Sequence, residues 1–177
     1  MLKREMIPTW EELQRHKQII PEIDPAAVIA MLRIKQAGEE IKQEILDVLQ
    51  REHHLSDGKF CVLVVLHQNQ ARGLAPSVLA EKVGVTRATI SNMLQRMERD
   101  GLVTLEADKE DARSKKVRLT QAGNAFMQKV LPPHYLRVSK LMERLTGEEQ
   151  RQVIELLHKL TDEGTAPAGE AELCFAM

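Results

Sequence analysis

The chain has 177 residues, of which 43% are apolar and 29% are charged, and its formal net charge is −1. This length and apolar content suffice for a folded protein with a hydrophobic core. The balanced charge excludes a polycation that would coat nucleic acid or anionic membranes without specificity, so any nucleic-acid contact must come from a local patch.

Aromatic residues make up only 3% of the chain, which favours helix packing over a sandwich or barrel and argues against base-stacking platforms for single strands. The longest apolar run, residues 60–66, is far shorter than the roughly 20 residues that span a bilayer. Residues 1–10 lack the apolar core of a signal peptide. We therefore expect a soluble cytoplasmic protein without a membrane partner.

Two helices are predicted in the N-terminal part of the chain. Thr9-Trp10-Glu11-Glu12 has the pattern of a capping box, which predicts a short helix over residues 10–20. Pro21 and Pro25 bracket a break. Asp24-Pro25 has the pattern of an N-cap followed by proline at the first helical position, which opens a long amphipathic helix that ends near Arg51.

Three further elements are predicted in the middle of the chain. Ser56 can cap an element that carries the apolar run 60–66; its β-branched residues favour a strand and its helical neighbourhood favours a helix, and we predict a helix. Pro76 opens a short helix over residues 76–83. Thr86 caps a longer helix that ends at Asp100-Gly101, where glycine suits the position after the C-cap.

A two-stranded ribbon follows, because residues 102–106 and 116–119 each alternate apolar with polar side chains. A charged tip joins the strands, and Glu106, Asp108 and Glu110 within this region are interpreted as solvated surface. By itself, such a charged tip indicates only the solvated end of a hairpin and not a binding site.

The C-terminal part of the chain predicts two helices. Thr120 can cap the first of them, which Pro132-Pro133 should kink or briefly interrupt. Residues 146–149 form a second capping-box pattern and open a final helix with inward positions at Val153, Ile154, Leu157 and Leu160. These outer helices carry more apolar positions than one chain can bury, which predicts self-association.

Residues 79–98 have the spacing of a helix-turn-helix. Ala80 is small where two helices would cross, Gly84 suits the turn, and Val85 and Ile90 are expected to be buried. On a helical wheel Ile90, Met93, Leu94 and Met97 share one side. The opposite side carries small and amide side chains that suit base edges: Ala88, Asn92, Gln95 and Arg99, flanked by Thr89, Ser91 and Arg96. An ordinary surface helix would more often interleave Glu and Lys.

The run VGVTRATISNMLQRMERDGLV followed by EDARSKKVRLTQAG resembles the winged-helix core of the MarR family, the multiple-antibiotic-resistance type of bacterial transcription regulator. Its most specific pieces are Asp111-Ala112-Arg113 and Leu119-Thr120-x-x-Gly123. The resemblance implies a mainly α, α+β winged-helix fold with dimerisation helices at 25–55 and 121–163 and a winged helix-turn-helix DNA-binding domain at 56–120. The sequence departs from the family in an N-terminal extension with a short helix at 1–24 and in a flexible tail at 164–177.

The same resemblance implies a homodimeric repressor without catalytic activity, cofactor or metal, whose recognition helices (residues 86–99) enter successive major grooves of a palindromic double-stranded operator. Arg113 would enter the minor groove with Asp111 bracing the loop, and Lys115, Lys116 and Arg118 would contact phosphates. The expected DNA contacts are Ser77, Thr86, Arg87, Ala88, Thr89, Ser91, Asn92, Gln95, Arg96, Asp111, Arg113, Lys115, Lys116 and Arg118.

The resemblance also implies a small phenolic or carboxylate effector. His53, His54, Lys59 and His67 are candidates to meet its anionic group, and the alternative is that they are solvated residues at helix ends. A thiol sensor at Cys61 is less favoured than a packing role, because a thiol inside an apolar run is inert. Cys61 and Cys174 have no CxxC spacing that would indicate a metal site or disulfide framework.

Two other classes of function compete. A metalloenzyme or zinc-regulated protein would use His53, His54, Asp57 and His67, although no HExxH or Cys/His pattern supports it. A winged helix that serves only protein contacts would show no duplex affinity at any salt concentration, whereas DNA binding weakens steeply as salt rises.

Overall fold

A computed structural model describes residues 7–107 and 115–161. The wing tip with Asp111 and Arg113, the tail 164–177 and Cys174 lie outside these residues. None of the helices in the two described ranges is both long and apolar enough to cross a lipid bilayer. The elements in chain order are α1 (Trp10–Ile19), α2 (Pro25–His53), α3 (Asp57–Gln68), α4 (Pro76–Val83), α5 (Arg87–Arg99), β1 (Val103–Ala107), β2 (Lys115–Leu119), α6 (Gln121–Met142) and α7 (Gly147–Thr161).

The chain forms two units, the first of which ends at His54 and contains α1 and α2. The predicted capping box of α1 is confirmed: Glu12 N donates to Thr9 Oγ1 over 3.2 Å, and Thr9 N donates to Glu12 Oε2 over 2.7 Å. The backbone hydrogen bond from Thr9 holds the pKa of the Glu12 carboxyl below its usual value. α1 packs against α2 and buries Leu13. The predicted cap of α2 is also confirmed, since Asp24 Oδ1 accepts from Ala26 N over 2.9 Å.

The second unit begins at Leu55, and α3 lies at its centre. The apolar run that left strand and helix open is helical, and its buried residues point in every direction around the axis: Phe60, Cys61, Val62, Leu63, Val65 and Leu66. α4, α6 and β2 all pack against this helix. A helix that is covered on several sides shows no apolar stripe, which is why periodicity did not identify it.

α4 and α5 form the predicted helix-turn-helix. Gly84 has φ +69°, the left-handed conformation that glycine adopts without steric cost, and Val85 N donates to Ala80 O over 3.0 Å to close the turn. Ile90 and two further apolar residues of α5 are almost fully buried. Val85 was expected to be buried and is only half-buried, because it lies in the turn itself.

β1 and β2 pair antiparallel with Val103 opposite Leu119 and Glu106 opposite Lys116. Each strand is displaced by about one residue from its predicted start. A third short segment joins them: Leu74 N donates to Val117 O over 3.1 Å, and Val117 N donates to Leu74 O over 2.7 Å. The sequence did not predict this bridge, because a single extended residue before a proline-led helix has no alternating pattern to reveal it.

The junction between the ribbon and α6 depends on Thr120 and Gly123. Thr120 Oγ1 donates to Gly101 O over 2.6 Å and accepts from Gly123 N over 2.9 Å, while Thr120 N donates to Leu102 O over 3.1 Å. A Cβ on Gly123 would collide with the carbonyl oxygen of Leu102. Only glycine therefore allows α6 to start this close to the segment that leads into β1.

α6 is one continuous helix through Pro132 and Pro133, so the prolines do not interrupt it, and the alternative expectation of a kink stays a prediction. Both prolines are exposed, as are Gln128 and Lys129 one turn earlier, whose carbonyls lose their helical donors. This exposed side of the helix is accessible to solvent, which can satisfy carbonyls that lack a helical donor. His134 follows on the buried side of α6, with its ring 4.7 Å from that of Phe60, and desolvation lowers its pKa, which favours the neutral ring.

α7 begins at the predicted capping box, in which Thr146 N donates to Glu149 Oε2 over 2.7 Å. Its apolar positions are not inward in the single chain, contrary to expectation, and none of its described residues is buried. Four of them keep substantial exposed fractions: Val153 38%, Ile154 55%, Leu157 40% and Leu160 65%. α7 therefore has the predicted apolar side. Within the described residues of the single chain, no other element covers that side.

Candidate nucleic-acid interface

The face of α5 opposite the core is exposed along its whole length. Leu94 and Met97 are fully buried on the inner side, so the helix cannot rotate without losing its contribution to the core. The seven residues predicted to point outward are all exposed: Ala88, Thr89, Ser91, Asn92, Gln95, Arg96 and Arg99. The predicted division of α5 into a buried and an outer side is therefore confirmed. The outer side is an exposed surface of small, amide and cationic side chains.

Polar groups on this face divide into those already engaged and those free to bind. Thr86 Oγ1 accepts from Thr89 N over 3.1 Å and lies 2.9 Å from Thr89 Oγ1, so both hydroxyls serve the helix cap. Ser91 Oγ donates to Arg87 O over 2.8 Å. By contrast, the side-chain amides of Asn92 and Gln95 make no hydrogen bond within the described ranges. Their amide groups are the polar atoms of α5 best placed to read another molecule.

The first turn of α3 fixes the position of α5. Lys59 Nζ lies 2.8 Å from Asp100 Oδ2 at the C-terminal end of α5. A Cβ on Gly58 would lie 3.0 Å from Met93 Cε, so the two helices approach closely at this point. The ion pair is partly exposed and is worth at most about 1 kcal/mol. It nevertheless occupies Lys59, a candidate for effector binding, in a contact within the protein.

A cleft of about 360 Å³ lies beside the exposed face of α5. It is bounded by the start of α4, the first turn of α5 and the first residue of β2, and its lining is Ala75, Pro76, Ser77, Arg87, Ile90, Ser91 and Lys115. α4 has no side-chain cap, since its N-cap residue is Ala75. Free backbone N–H groups, two cations and two hydroxyls therefore converge on one concave surface, an arrangement that favours an anion such as a phosphate group.

The predicted wing contacts have different environments. Lys115 is exposed, and Lys116 is half-buried. Arg118 was predicted to contact phosphate, but its guanidinium donates to three backbone carbonyls of the α3–α4 loop: Gln70, Ala71 and Arg72, over 3.1, 3.0 and 2.9 Å. The sequence did not predict this interaction, because the loop and the strand are more than 40 residues apart. Asp111 and Arg113 fall outside the described residues, and their expected roles stay predictions.

Three of the four candidate effector residues, His53, Lys59 and His67, have side-chain partners within the protein. His53 Nε2 lies 3.9 Å from Glu52 Oε2, and His54 ends α2 with φ +52°. His67 Nδ1 lies 2.6 Å from Gln70 Nε2, and Lys59 pairs with Asp100. His53 and His54 belong to the first unit, whereas Lys59 and His67 belong to the second. The proposed grouping around one anion stays a prediction.

The described residues do not bring three or more His, Cys, Asp or Glu side chains together in a way that could hold a metal ion. Cys61 is buried, with Sγ 3.7 Å from Asp57 Oδ1. Burial limits the access of an oxidant to this thiol. These surroundings fit a packing role for Cys61 better than that of a redox sensor.

Comparison with known proteins gives matches along most of the chain. A sequence profile of the MarR family matches residues 53–114. The HTH-type transcriptional repressor YetL of Bacillus subtilis is 28% identical over 154 residues, which is 87% of this chain and 92% of that protein. An uncharacterized HTH-type transcriptional regulator of Bacillus cereus is 30% identical over 133 residues, 75% of this chain and 84% of that protein.

Solved structures give the same result for the fold. The MepR–DNA complex of Staphylococcus aureus superposes with a TM-score of 0.65 at 25% sequence identity, covering 73% of this chain and 94% of MepR. The predicted class, a mainly helical fold with a small antiparallel wing, is thereby confirmed.

Proposed function

The chain belongs to the MarR family of helix-turn-helix transcription regulators, which are not enzymes, and on that premise we propose that it is a homodimeric repressor of a palindromic double-stranded operator. The main support for the proposal is the outer face of α5, which is exposed and carries two amide side chains without a hydrogen bond within the described residues. From Arg87 to Arg96 that helix has no carboxylate. A surface without negative charge, held rigidly by a buried apolar side, is suited to the major groove.

Base reading is assigned to the amide side chains of α5. Asn92 and Gln95 lie on the outer face and are exposed, and their side-chain amides make no hydrogen bond within the described parts of the chain. An amide can pair with adenine through one donor and one acceptor. Thr86, Thr89 and Ser91 have hydroxyls engaged in the protein, so they support close approach and phosphate contact more than base discrimination.

Phosphate contacts are assigned to the cleft beside α5. Ser77 at the uncapped start of α4, Arg87 and Lys115 surround a space of about 360 Å³, and Lys116 lies next along the strand. Each neutralised phosphate releases counterions, so the affinity should fall as salt rises. Arg113, braced by Asp111, is proposed to enter the adjacent minor groove from the wing tip. DNA binding would place the site of action in the bacterial cytoplasm.

The dimer is assigned to the uncovered apolar side chains of the outer helices. α7 exposes one continuous apolar face that includes Ile154 and Leu157. In α6, Leu136 is 72% exposed and Tyr135 is 50% exposed. An exposed apolar surface on two helices is unfavourable in water unless a partner covers it. A second copy of the chain provides an equal surface by two-fold symmetry. An effector stays a prediction without an assigned site.

The base-reading assignment is tested by Asn92→Ala and Gln95→Ala. Each substitution should weaken binding to the preferred duplex by about 1–3 kcal/mol and relax base preference at one position of each half-site. The salt dependence should stay the same, because neither side chain is charged. Binding curves on the preferred duplex and on single-position variants, each at several salt concentrations, measure both quantities.

The matched control is Lys115→Ala. Removal of a phosphate contact should weaken binding to all sequences about equally and reduce the salt slope by about one. If Asn92→Ala and Gln95→Ala behaved like this control, both amides would be backbone contacts and the base-reading assignment would be wrong.

A further inference from the structure

We propose that Arg118 is a positioning residue that clamps the wing to the α3–α4 loop and thereby sets the spacing between the wing and the helix-turn-helix. This inference rests on the proposed function, because the spacing matters for two surfaces that contact one duplex. It assigns to Arg118 a role other than the phosphate contact that its place in the basic strand suggests.

Both terminal nitrogens of the Arg118 guanidinium donate hydrogen bonds within the protein, which use three of its five N–H donors. Nη1 donates to the carbonyls of Gln70 and Ala71 over 3.1 and 3.0 Å, and Nη2 donates to the carbonyl of Arg72 over 2.9 Å. Nε lies 3.8 Å from Glu106 Oε2 on the neighbouring strand. The planar fork of arginine can satisfy several acceptors at once, whereas the ammonium of lysine is a compact point charge. These contacts hold the guanidinium against the loop, so a phosphate contact would have to compete with three hydrogen bonds within the protein.

The three carbonyls belong to the turn that follows α3, where the C-terminal end of a helix carries partial negative charge. Asn69 caps α3, and Arg72 N and Gly73 N both donate back to Asn69 O, over 3.3 and 2.9 Å. The carbonyls of this turn therefore point outward without helical donors of their own. Arg118 supplies both the donors and the positive charge that this turn requires.

The absence of a side chain at Gly73 leaves room for Arg118 to reach the loop. Gly73 has φ +64°, and a Cβ on it would lie 2.9 Å from Arg118 Cγ and 2.9 Å from Val117 O. One residue later, Leu74 and Val117 exchange both backbone hydrogen bonds. Side-chain and main-chain contacts thus join the same loop to two consecutive residues of the strand, Val117 and Arg118, and on the loop side they involve residues 70–72 and Leu74. Such a doubly tied junction resists sliding, because a shift by one residue would break both sets of contacts.

This junction sets the width of the phosphate cleft. The wall of the cleft that includes Ala75 and Pro76 directly follows the clamped loop, and the opposite wall includes Lys115, three residues before Arg118 on β2. When the loop and the strand are tied together, the start of α4 and the first residue of the wing keep a constant separation. Loss of the clamp would release the wing without altering the buried side of α5.

The test compares Arg118→Lys, Arg118→Gln and the control Lys115→Ala in the full-length protein on one preferred duplex at several salt concentrations. Both Arg118 variants should bind about tenfold more weakly, the loss expected for one or two misplaced contacts, while their salt slopes equal that of the wild type. Lys115→Ala should reduce the slope by about one. Wild-type affinity in Arg118→Lys together with a reduced slope in Arg118→Gln would identify a phosphate contact and overturn the clamp.

A second measurement does not depend on DNA. Amide hydrogen exchange at Leu74 and Val117 should be faster in both Arg118 variants than in the wild type, while Leu63 in the core of α3 stays protected. Unchanged exchange at Leu74 and Val117 would overturn the clamp even if the proposed function is correct. If the wild type binds no duplex while exchange accelerates as expected, the clamp stands and the proposed function fails.

Discussion

Replacing Gly123 by alanine is expected to destabilise the second unit by at least about 3 kcal/mol, the upper range for inserting a methyl group where no space exists. The added Cβ would meet the backbone oxygen of Leu102, which a side-chain rotation cannot move aside. Relief requires α6 to shift away from the segment that leads into β1, which breaks the hydrogen bonds of Thr120 to Gly101 and Leu102. Urea unfolding at a fixed protein concentration measures the change.

The control is Gly38→Ala, in the interior of α2, where a Cβ would meet nothing within 4 Å. That substitution should leave stability unchanged or raise it by about 0.5–1 kcal/mol, because alanine is the better helix former. Wild-type stability in Gly123→Ala would contradict the assigned junction. It would also remove the physical reason for glycine in the Leu119-Thr120-x-x-Gly123 pattern.

Replacing Ile154 or Leu157 by aspartate is expected to convert the proposed dimer to a monomer and to weaken binding to the proposed operator by more than about 100-fold. The exposed fractions, 55% and 40%, are those of the single chain, so a carboxylate there costs the monomer little. In a dimer it would be buried without a partner, which costs several kcal/mol. A monomer also loses the effective concentration that links binding at two half-sites.

Sedimentation velocity and far-ultraviolet circular dichroism distinguish dissociation from unfolding in these variants. The matched control is Gln152→Asp, which adds the same charge on the polar side of α7, where the residue is exposed. It should leave both the dimer and the operator affinity unchanged. A dimer that survived in Ile154→Asp and Leu157→Asp would show that α7 does not form the interface.

Local signals in the sequence predicted most of the elements. The caps at Thr9, Asp24, Ser56, Thr86 and Thr120 all accept hydrogen bonds from the first turns of their helices. This success has a physical reason, since a cap is an interaction between residues two or three positions apart. The outer face of α5 was predicted for a similar reason, because the helical period alone determines which residues share a side.

Three features could not be predicted, because each depends on residues that are distant in the chain or on surfaces outside it. The contacts of Arg118 with the α3–α4 loop join positions more than 40 residues apart. The bridge between Leu74 and Val117 has no alternating pattern on the Leu74 side. The exposed side of α7 has correct periodicity and no cover in one chain, because periodicity reports that a face is apolar without reporting what packs against it.

The charged residues of the wing show both what the sequence could predict and what it could not. Arg118 was grouped with Lys115 and Lys116 by charge alone, yet the three side chains have different surroundings. Glu106 was interpreted as solvated surface, and its carboxylate lies 3.8 Å from Arg118 Nε. Charge identifies a residue that can meet a phosphate, but only the position of neighbouring acceptors decides whether it is free to do so.

The most direct test of the central claim is selection of bound sequences from a pool of random duplex DNA, carried out at low and at moderate salt. A homodimeric repressor should select a palindrome whose half-sites lie about one helical turn apart, as two-fold related recognition helices require, and the recovery should fall steeply as salt rises. Recovery of no duplex at either salt concentration would contradict it and would favour a winged helix that serves only protein contacts.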